Sequence, residues 1–199
     1  MREKWGMAMV LAVLAALGNM GIGVGADLYR VDPSHTSVSF TVRHLAIYKV
    51  RGEFREFTGV IRYDAAEMTQ SSLEGRIEVA SIDTEHAKRD RDLRSAQFFD
   101  VESFPAITFS SQRVEQQGDA YVLIGELELR GVSKEVAIPF TFTGPVVHRG
   151  NTLLGFEARF EIDRRDFGMT YSKVMDAGGL VVGNEVKIEL SGRAVKQEP

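Results

Sequence analysis

The amino-acid sequence predicts an all-β protein, an eight-stranded antiparallel β-barrel with a short helix between two central strands. Apolar and polar residues alternate with period two along most of the chain after residue 26, which is typical of strands with one face in a core. Turn-forming residues divide this region into about eight segments. Eight antiparallel strands expose two edges unless the sheet closes, so we expect a barrel, with a two-sheet sandwich as the alternative.

Composition and charge exclude several classes of protein. The chain has 199 residues, 24 Lys+Arg against 28 Asp+Glu, and no cysteine. This length fits one domain. The lack of cysteine excludes disulfide scaffolds, thiolate zinc sites and cysteine nucleophiles. The formal net charge of −4 argues against a nucleic-acid partner, because such binding requires a concentrated basic surface.

The first 26 residues predict a secretory signal peptide. Arg2 and Lys4 precede an apolar run from Met7 to Leu17, and small residues follow up to Ala26. The apolar run is shorter than the roughly 20 residues that a membrane-spanning helix needs, although an uncleaved anchor is the alternative. We expect cleavage after Ala26, export to the periplasm and a mature domain over residues 27–199.

The predicted strands share an alternating apolar face. Their spans are 37–43, 52–63, 73–80, 106–113, 121–130, 136–142, 156–162 and 186–194. Four glycines, Gly59, Gly75, Gly125 and Gly192, occupy positions on these apolar faces. An inward glycine either leaves unfilled volume or lets a strand bend at a barrel corner. The strand pattern therefore leaves open whether side chains or a ligand fill the interior.

A charged segment from Asp83 to Ser95 interrupts the strands and predicts a short helix. Asp83 is the expected N-cap, and three i,i+4 pairs of opposite charge support the helix. Three phenylalanines, Phe98, Phe99 and Phe104, follow before the next strand begins. We expect these rings to form a plug over one end of the barrel or over its contents.

The same segment contains His86, Asp90 and Ser95, the residue types of a nucleophile with its base and acid. His86 and Ser95 are nine residues apart and project from opposite sides of a helix. His86 and Asp90 share a face, and we expect them to orient each other as a structural pair, with metal binding as an alternative that lacks further ligands. We therefore predict no catalytic residue and no metal site.

The central part of the chain carries a family resemblance. Its blocks are SIDT at 81–84, HAKRD at 86–90, LRS at 93–95, FF at 98–99 and FPAITF at 104–109. LRGVSK at 129–134 and RDFG at 165–168 support it in the second half. With these blocks, in this order, the chain resembles the YceI-like bacterial periplasmic proteins over residues 27–196.

This resemblance implies a lipocalin-like barrel whose elongated cavity holds a long amphiphile, which can be a polyisoprenoid, an isoprenoid quinone or a fatty-acid derivative. It implies no catalytic residue and no cofactor other than the bound lipid. We therefore predict a periplasmic binding protein, not an enzyme, that sequesters or carries such a lipid. The alternatives are an enzyme acting on an isoprenoid or lipid headgroup, and an adaptor of a membrane redox or stress complex. A membrane donor or acceptor protein would be the partner of a carrier, and homodimerisation stays open.

Burial of a lipid tail is sufficient for affinity. A twenty-carbon tail gains about 16 kcal/mol at about 0.8 kcal/mol per methylene, against association costs of about 4 to 15 kcal/mol. The predicted ligand-binding residues are Phe40, Val42, Ile77, Val79, Phe109, Phe140, Phe142, Phe156 and Phe160, with Phe98, Phe104, Phe167 and Met169 near an entrance. Candidate headgroup contacts are His86, Arg94 and Arg164.

Overall fold

The computed structural model describes residues 25–45, 47–171, 173 and 181–198, so that most of the predicted signal peptide lies outside the described residues. The strands are β1 Asp27–Val31, β2 Ser37–His44, β3 Tyr48–Phe54, β4 Phe57–Tyr63, β5 Ser72–Glu78, β6 Ile82–Asp83, β7 Ala106–Gln117, β8 Ala120–Leu129, β9 Val132–His148, β10 Asn151–Asp163 and β11 Val182–Lys196. The helix is α1 Ala87–Arg94, and the short 3-10 helices are Pro33–His35, Met68–Gln70, Val79–Ser81 and Arg164–Phe167.

The strands close into an antiparallel barrel. The order β1-β4-β5-β7-β8-β9-β10-β11 returns to its start because β11 also pairs with β1, with Tyr29 opposite Lys196. The predicted eight-stranded barrel is confirmed, and the sandwich alternative is wrong. Closure satisfies the backbone groups that an open sheet would expose at its two edges.

Three barrel positions are each filled by two strands placed end to end, namely β1 with β2, β3 with β4, and β5 with β6. β11 pairs with β1 near its carboxyl end and with β2 over the rest of its length, where Lys187 lies opposite Thr41. Similarly, β3 pairs with β2 and β6, whereas β4 pairs with β1 and β5. β1 was not predicted from the sequence, and β3 and β4 were predicted as one strand over residues 52–63.

The bend between β3 and β4 lies at Arg55 and Glu56. The amide of Arg55 donates to the carbonyl of Ser81 at 3.2 Å, and the amide of Glu56 donates to the Ser81 hydroxyl at 3.0 Å. These bonds turn the chain away from a regular ladder. As a result Phe54 and Phe57, three residues apart, both contribute to the barrel interior. A strict period of two cannot describe such a corner.

The barrel has two different ends. Arg130, in the β8–β9 turn, donates to the carbonyls of Ala96 and Gly168 at 2.9 and 2.7 Å, which joins the loop after α1 to the segment after β10. We call this the α1 end. The β2–β3 turn also lies there, because His44, the last residue of β2, pairs with Val182, the first residue of β11. The other end, which we call the closed end, holds the β9–β10 turn. Three residues with no exposed surface pack there: Tyr29, Leu154 and Ala194.

The start of α1 differs from the prediction. His86, not Asp83, is the N-cap, and its Nδ1 atom accepts the amide of Arg89 at 3.2 Å. The Asp83 carboxylate accepts the amide of Glu85 instead, at 2.8 Å. Histidine is a less common cap than aspartate, which explains why the capping pattern pointed to the wrong residue.

The predicted His86–Asp90 pair is also wrong. The buried Asp90 carboxylate accepts the amide of Thr84 at 3.0 Å and the hydroxyl of the same residue. Arg89 donates to the Thr84 carbonyl at 2.6 Å rather than to an i,i+4 partner. His86 and Asp90 therefore stabilise the helix start separately, each through the backbone that precedes or begins α1.

Candidate functional site

A cavity of about 250 Å³ runs along the barrel interior. Its wall is built from inward-facing apolar side chains of the strands, because alternate residues of each strand point to the same face. Leu93 of α1 and Phe98 and Phe99 of the following loop complete the wall at the α1 end. Of the three rings expected to form a plug, Phe98 and Phe99 line the cavity and Phe104 does not.

Part of the barrel interior is unfilled. Many of the side chains of β2, β9, β10 and β11 that line the cavity stay half-buried, and they are Phe40, Val42, Phe140, Phe142, Phe156, Ala158, Phe160, Ile162, Val186, Ile188 and Leu190. Phe57, Leu73, Ile77 and Phe109 on β4, β5 and β7 also line it half-buried, whereas Val114 and Leu123 are each only 5% exposed. Protein interiors are normally close-packed, so unfilled apolar space of this extent is the geometry of a site for an apolar ligand.

Most of the predicted ligand-binding residues line this cavity. They are Phe40, Val42, Ile77, Phe98, Phe109, Phe140, Phe142, Phe156, Phe160 and Met169. The structure places three others elsewhere. Val79 and Phe167 are buried in the main core cluster, and Phe104 packs on Gly131 in the β8–β9 turn.

Part of the cavity wall was not predicted from the sequence. Val186, Ile188 and Leu190 of β11 line it, and their alternation was visible in the sequence. Phe54 and Phe57 were hidden by the bend between β3 and β4, which shifts the inward positions from even to odd numbers. No comparable sequence signal marks a helical residue such as Leu93 as part of a cavity wall.

The four glycines on the apolar faces divide into two groups. A Cβ atom at Gly75 would meet no atom closer than the Thr58 carbonyl oxygen at 3.9 Å, so this glycine contributes free space. At Gly59, Gly125 and Gly192, an added Cβ atom would overlap neighbouring side chains or backbone. Only Gly75 therefore supports the interpretation of glycine as a source of cavity volume, and the others permit close packing.

Arg164 is the predicted headgroup residue that reaches the cavity wall. Its side chain is buried, and its guanidinium donates to the carbonyls of Gly183, Val182 and Met169 and to the amide oxygen of Asn184. Burial lowers the pKa of Arg164, and the charge of Asp163 offsets this only in part. These bonds hold the segment after β10 against the start of β11, so Arg164 has a structural role at the α1 end.

The other two candidate headgroup residues lie outside the cavity wall. His86 caps α1, and Arg94 donates to the carbonyls of Ala80 and Ile82 at 2.8 and 2.7 Å. Arg94 thereby fastens α1 to the chain around β6. Among the described residues, no group of three or more His, Asp and Glu side chains is arranged to hold a metal ion.

In the part of the chain that the structure describes, no helix is both long and apolar enough to cross a bilayer. α1, with eight residues, is strongly charged.

Comparison with solved structures gives close matches to this barrel. Burkholderia cenocepacia BcnA superposes with a TM-score of 0.73 at 24% identity, covering 82% of this chain and 98% of that one. The Campylobacter jejuni YceI protein superposes with a TM-score of 0.67 at 27% identity, covering 78% and 90%. A polyisoprenoid binding domain from Saccharophagus degradans, at 12% identity and a TM-score of 0.64, covering 86% and 99%, shares the fold.

Comparison of sequences assigns the family. Protein YceI of Salmonella newport (strain SL254) is 34% identical over 181 residues, which cover 89% of this chain and 91% of that protein. The UPF0312 protein of Serratia proteamaculans (strain 568) is 34% identical over 163 residues, covering 78% and 82%. The model of the YceI-like domain matches residues 29–194. The resemblance inferred from the sequence is thus confirmed, and the chain belongs to the YceI-like domain family.

Proposed function

We propose that this protein binds one long-chain amphiphile in its barrel cavity and carries it through the periplasm. The ligand class is a polyisoprenoid, an isoprenoid quinone or a fatty-acid derivative. The observation that carries the proposal is the row of half-buried apolar side chains on β2, β9, β10 and β11, which face unfilled space inside a closed barrel. A lipid tail in that space would complete the packing of the interior.

The composition of the cavity wall supports a long tail over a compact polar ligand. Phenylalanine and aliphatic side chains from several strands form almost the whole lining, and the buried Arg164 already donates to carbonyl and amide oxygens. Such a wall discriminates weakly between tails, since adding or removing one methylene changes the affinity by about 10- to 200-fold at best. We therefore expect several lipids of similar length and width to bind.

Binding without chemistry is the proposal that these contacts favour. His86 and Arg94, the residues on which an enzymatic function would depend, cap and fasten α1 and do not line the cavity. Asp90 is bonded to Thr84. Each of these side chains has a structural partner that accounts for its position, and the fold alone does not assign an activity.

The proposed compartment follows from the amino-terminal sequence, in which basic residues precede a short apolar run. A periplasmic carrier would have to hold its ligand away from water between membranes, which suits a closed barrel with an apolar interior.

Titration of lipid-free protein with geranylgeraniol, a twenty-carbon isoprenoid alcohol, tests the binding proposal. The protein is unfolded, freed of lipid and refolded, and co-elution of radiolabelled ligand gives the stoichiometry. We expect about one ligand per chain. Phe140→Asp should weaken binding at least about tenfold, because it places a carboxylate against the apolar tail.

Thr141→Asp is the matched control, since Thr141 is the exposed neighbour of Phe140 on β9 and points to solvent. This control should bind geranylgeraniol as the unmodified protein does. Circular dichroism and urea unfolding show that both variants fold. A folded Phe140→Asp protein with undiminished binding would exclude the proposed cavity as the ligand site.

A further inference from the structure

We infer that the β2–β3 hairpin is a membrane-docking element whose exposed Ile47 and Tyr48 side chains insert into the headgroup region of an anionic phospholipid bilayer. The turn presents two large apolar side chains to solvent. Ile47 is 80% exposed, although isoleucine is among the residue types most often buried, and Tyr48 is 46% exposed. Tyrosine is the residue type enriched where bilayer and water meet, because its ring is apolar and its hydroxyl is polar.

The charge of the hairpin complements an anionic surface. Residues 37–52 contain no aspartate or glutamate, and they include Arg43, Lys49 and Arg51. The chain as a whole carries a net charge of −4, so this cationic segment departs from the average of the protein. An apolar tip flanked by cations is the combination that binds anionic lipid interfaces.

The strand beside the hairpin does not cancel this charge. β11 contributes Glu185, Lys187 and Glu189 to the surface next to β2. Lys187 lies 2.5 Å from Glu161 and 3.8 Å from Glu185, and Arg159 of β10 lies 3.3 Å from Glu189. The carboxylates of β11 therefore pair with cations outside the hairpin.

The hairpin lies at the end of the barrel that the cavity reaches. Val42 of β2 lines the cavity and pairs with Val50 of β3, so the same hairpin forms cavity wall and exposed tip. Val182, also in the cavity wall, lies opposite His44 at the base of the turn. Docking would thus place the α1 end of the cavity against the membrane from which a lipid enters or leaves.

The opposite end of the barrel offers a useful contrast. The β9–β10 hairpin also has exposed apolar residues, Val146 at 56% and Val147 at 76%. It lies at the closed end, where Tyr29 and Leu154 have no exposed surface and do not line the cavity. Because Val42 of the β2–β3 hairpin lines the cavity and neither valine does, we assign docking to the β2–β3 hairpin.

Vesicle co-sedimentation tests this inference on the mature chain, residues 27–199, purified from a periplasmic fraction without detergent, because the apolar run of the signal peptide would itself bind lipid. The vesicles contain phosphatidylethanolamine with about 30% phosphatidylglycerol, and phosphatidylcholine vesicles are the neutral comparison. We expect binding to the anionic vesicles that weakens as salt rises from about 50 to about 300 mM. Ile47→Glu should lower the partition coefficient about tenfold, and Ile47→Trp should raise it.

Val147→Glu is the matched control, because it adds the same charge at an equally exposed apolar position of the other hairpin. It should bind vesicles as the unmodified protein does. Absence of binding to anionic vesicles, or equal losses in Ile47→Glu and Val147→Glu, overturns the inference. The biological purpose of docking rests on the proposed carrier function. Measuring the lipid bound to Ile47→Glu distinguishes failure of docking from failure of lipid binding in the cavity. Lipid retained without vesicle binding rejects docking and leaves the cavity proposal intact.

Discussion

Single residues decide how much space the cavity wall leaves. Gly59 of β4 and Gly75 of β5 lie directly opposite each other, and Phe109 of β7 is the next residue in the same register. An added Cβ atom at Gly75 has room, whereas one at Gly192 would collide with the side chain and backbone of Thr36. One residue type therefore contributes cavity volume at one position and close strand packing at another.

Gly75→Leu should fill part of the cavity without weakening the fold. We expect at least about tenfold weaker binding of geranylgeraniol, with the free energy of unfolding changed by less than about 0.5 kcal/mol. Gly192→Ala should instead lower the free energy of unfolding by about 1–3 kcal/mol, because the site is already packed. Urea unfolding and ligand titration measure both effects. If Gly75→Leu destabilises the protein as strongly as Gly192→Ala, the space beside Gly75 is not free.

The helix α1 was easier to predict than the contacts that its side chains make. The charged segment and its helical character follow from local sequence, and α1 indeed occupies Ala87–Arg94. The cap and the contacts of Asp90 depend on where Thr84 lies after the short strand β6. That position is set by tertiary pairing between β6 and β3, which no local spacing in the sequence expresses.

At the scale of elements, the corner between β1 and β2 is tied to β11 through Asp32. The Asp32 carboxylate accepts two hydrogen bonds from the Arg193 guanidinium at 2.9 and 3.0 Å and the amide of Ser34 at 3.0 Å. His35 contributes a further contact at 2.9 Å. Burial opposes ionisation of Asp32, but the bonds from Arg193, Ser34 and His35 outweigh it and hold its pKa below the usual 3.8.

Asp32→Asn should therefore destabilise the protein in a pH-dependent way. Because the pKa of Asp32 is lowered on folding, its contribution is present above about pH 3.8 and is lost as the pH falls through the folded pKa. We expect Asp32→Asn to lower the free energy of unfolding by about 1 kcal/mol at neutral pH, and this difference to shrink as the pH falls below about 3.8. Urea unfolding over this pH range measures the difference. A difference that persists at low pH would contradict the account.

Strand prediction succeeded where alternation was long and regular. All eight predicted segments correspond to strands of the barrel. It failed at the corners, because β1 is only five residues long and the bend at Arg55 and Glu56 shifts the alternation. Corners arise from closure of the whole sheet, so local periodicity alone does not locate them.

At the scale of the whole molecule, packing and ligand space occupy different parts of the barrel. Buried clusters hold the closed end and the base of α1, with Tyr29 and Leu154 at one end and Ile82 and Phe167 at the other. The half-buried aromatic and aliphatic side chains line the cavity between these clusters. The fold can thus be stable through its ends and its closed sheet while the middle accommodates different lipid tails.

The central claim is that a long amphiphile occupies this barrel, and native mass spectrometry tests it most directly. The protein is purified from a periplasmic fraction without detergent, and an organic extract of the same sample identifies what is released. We predict a complex of one mature chain, beginning at Asp27, with about one long-chain lipid. A mass equal to that chain alone, together with an extract free of lipid, would contradict it.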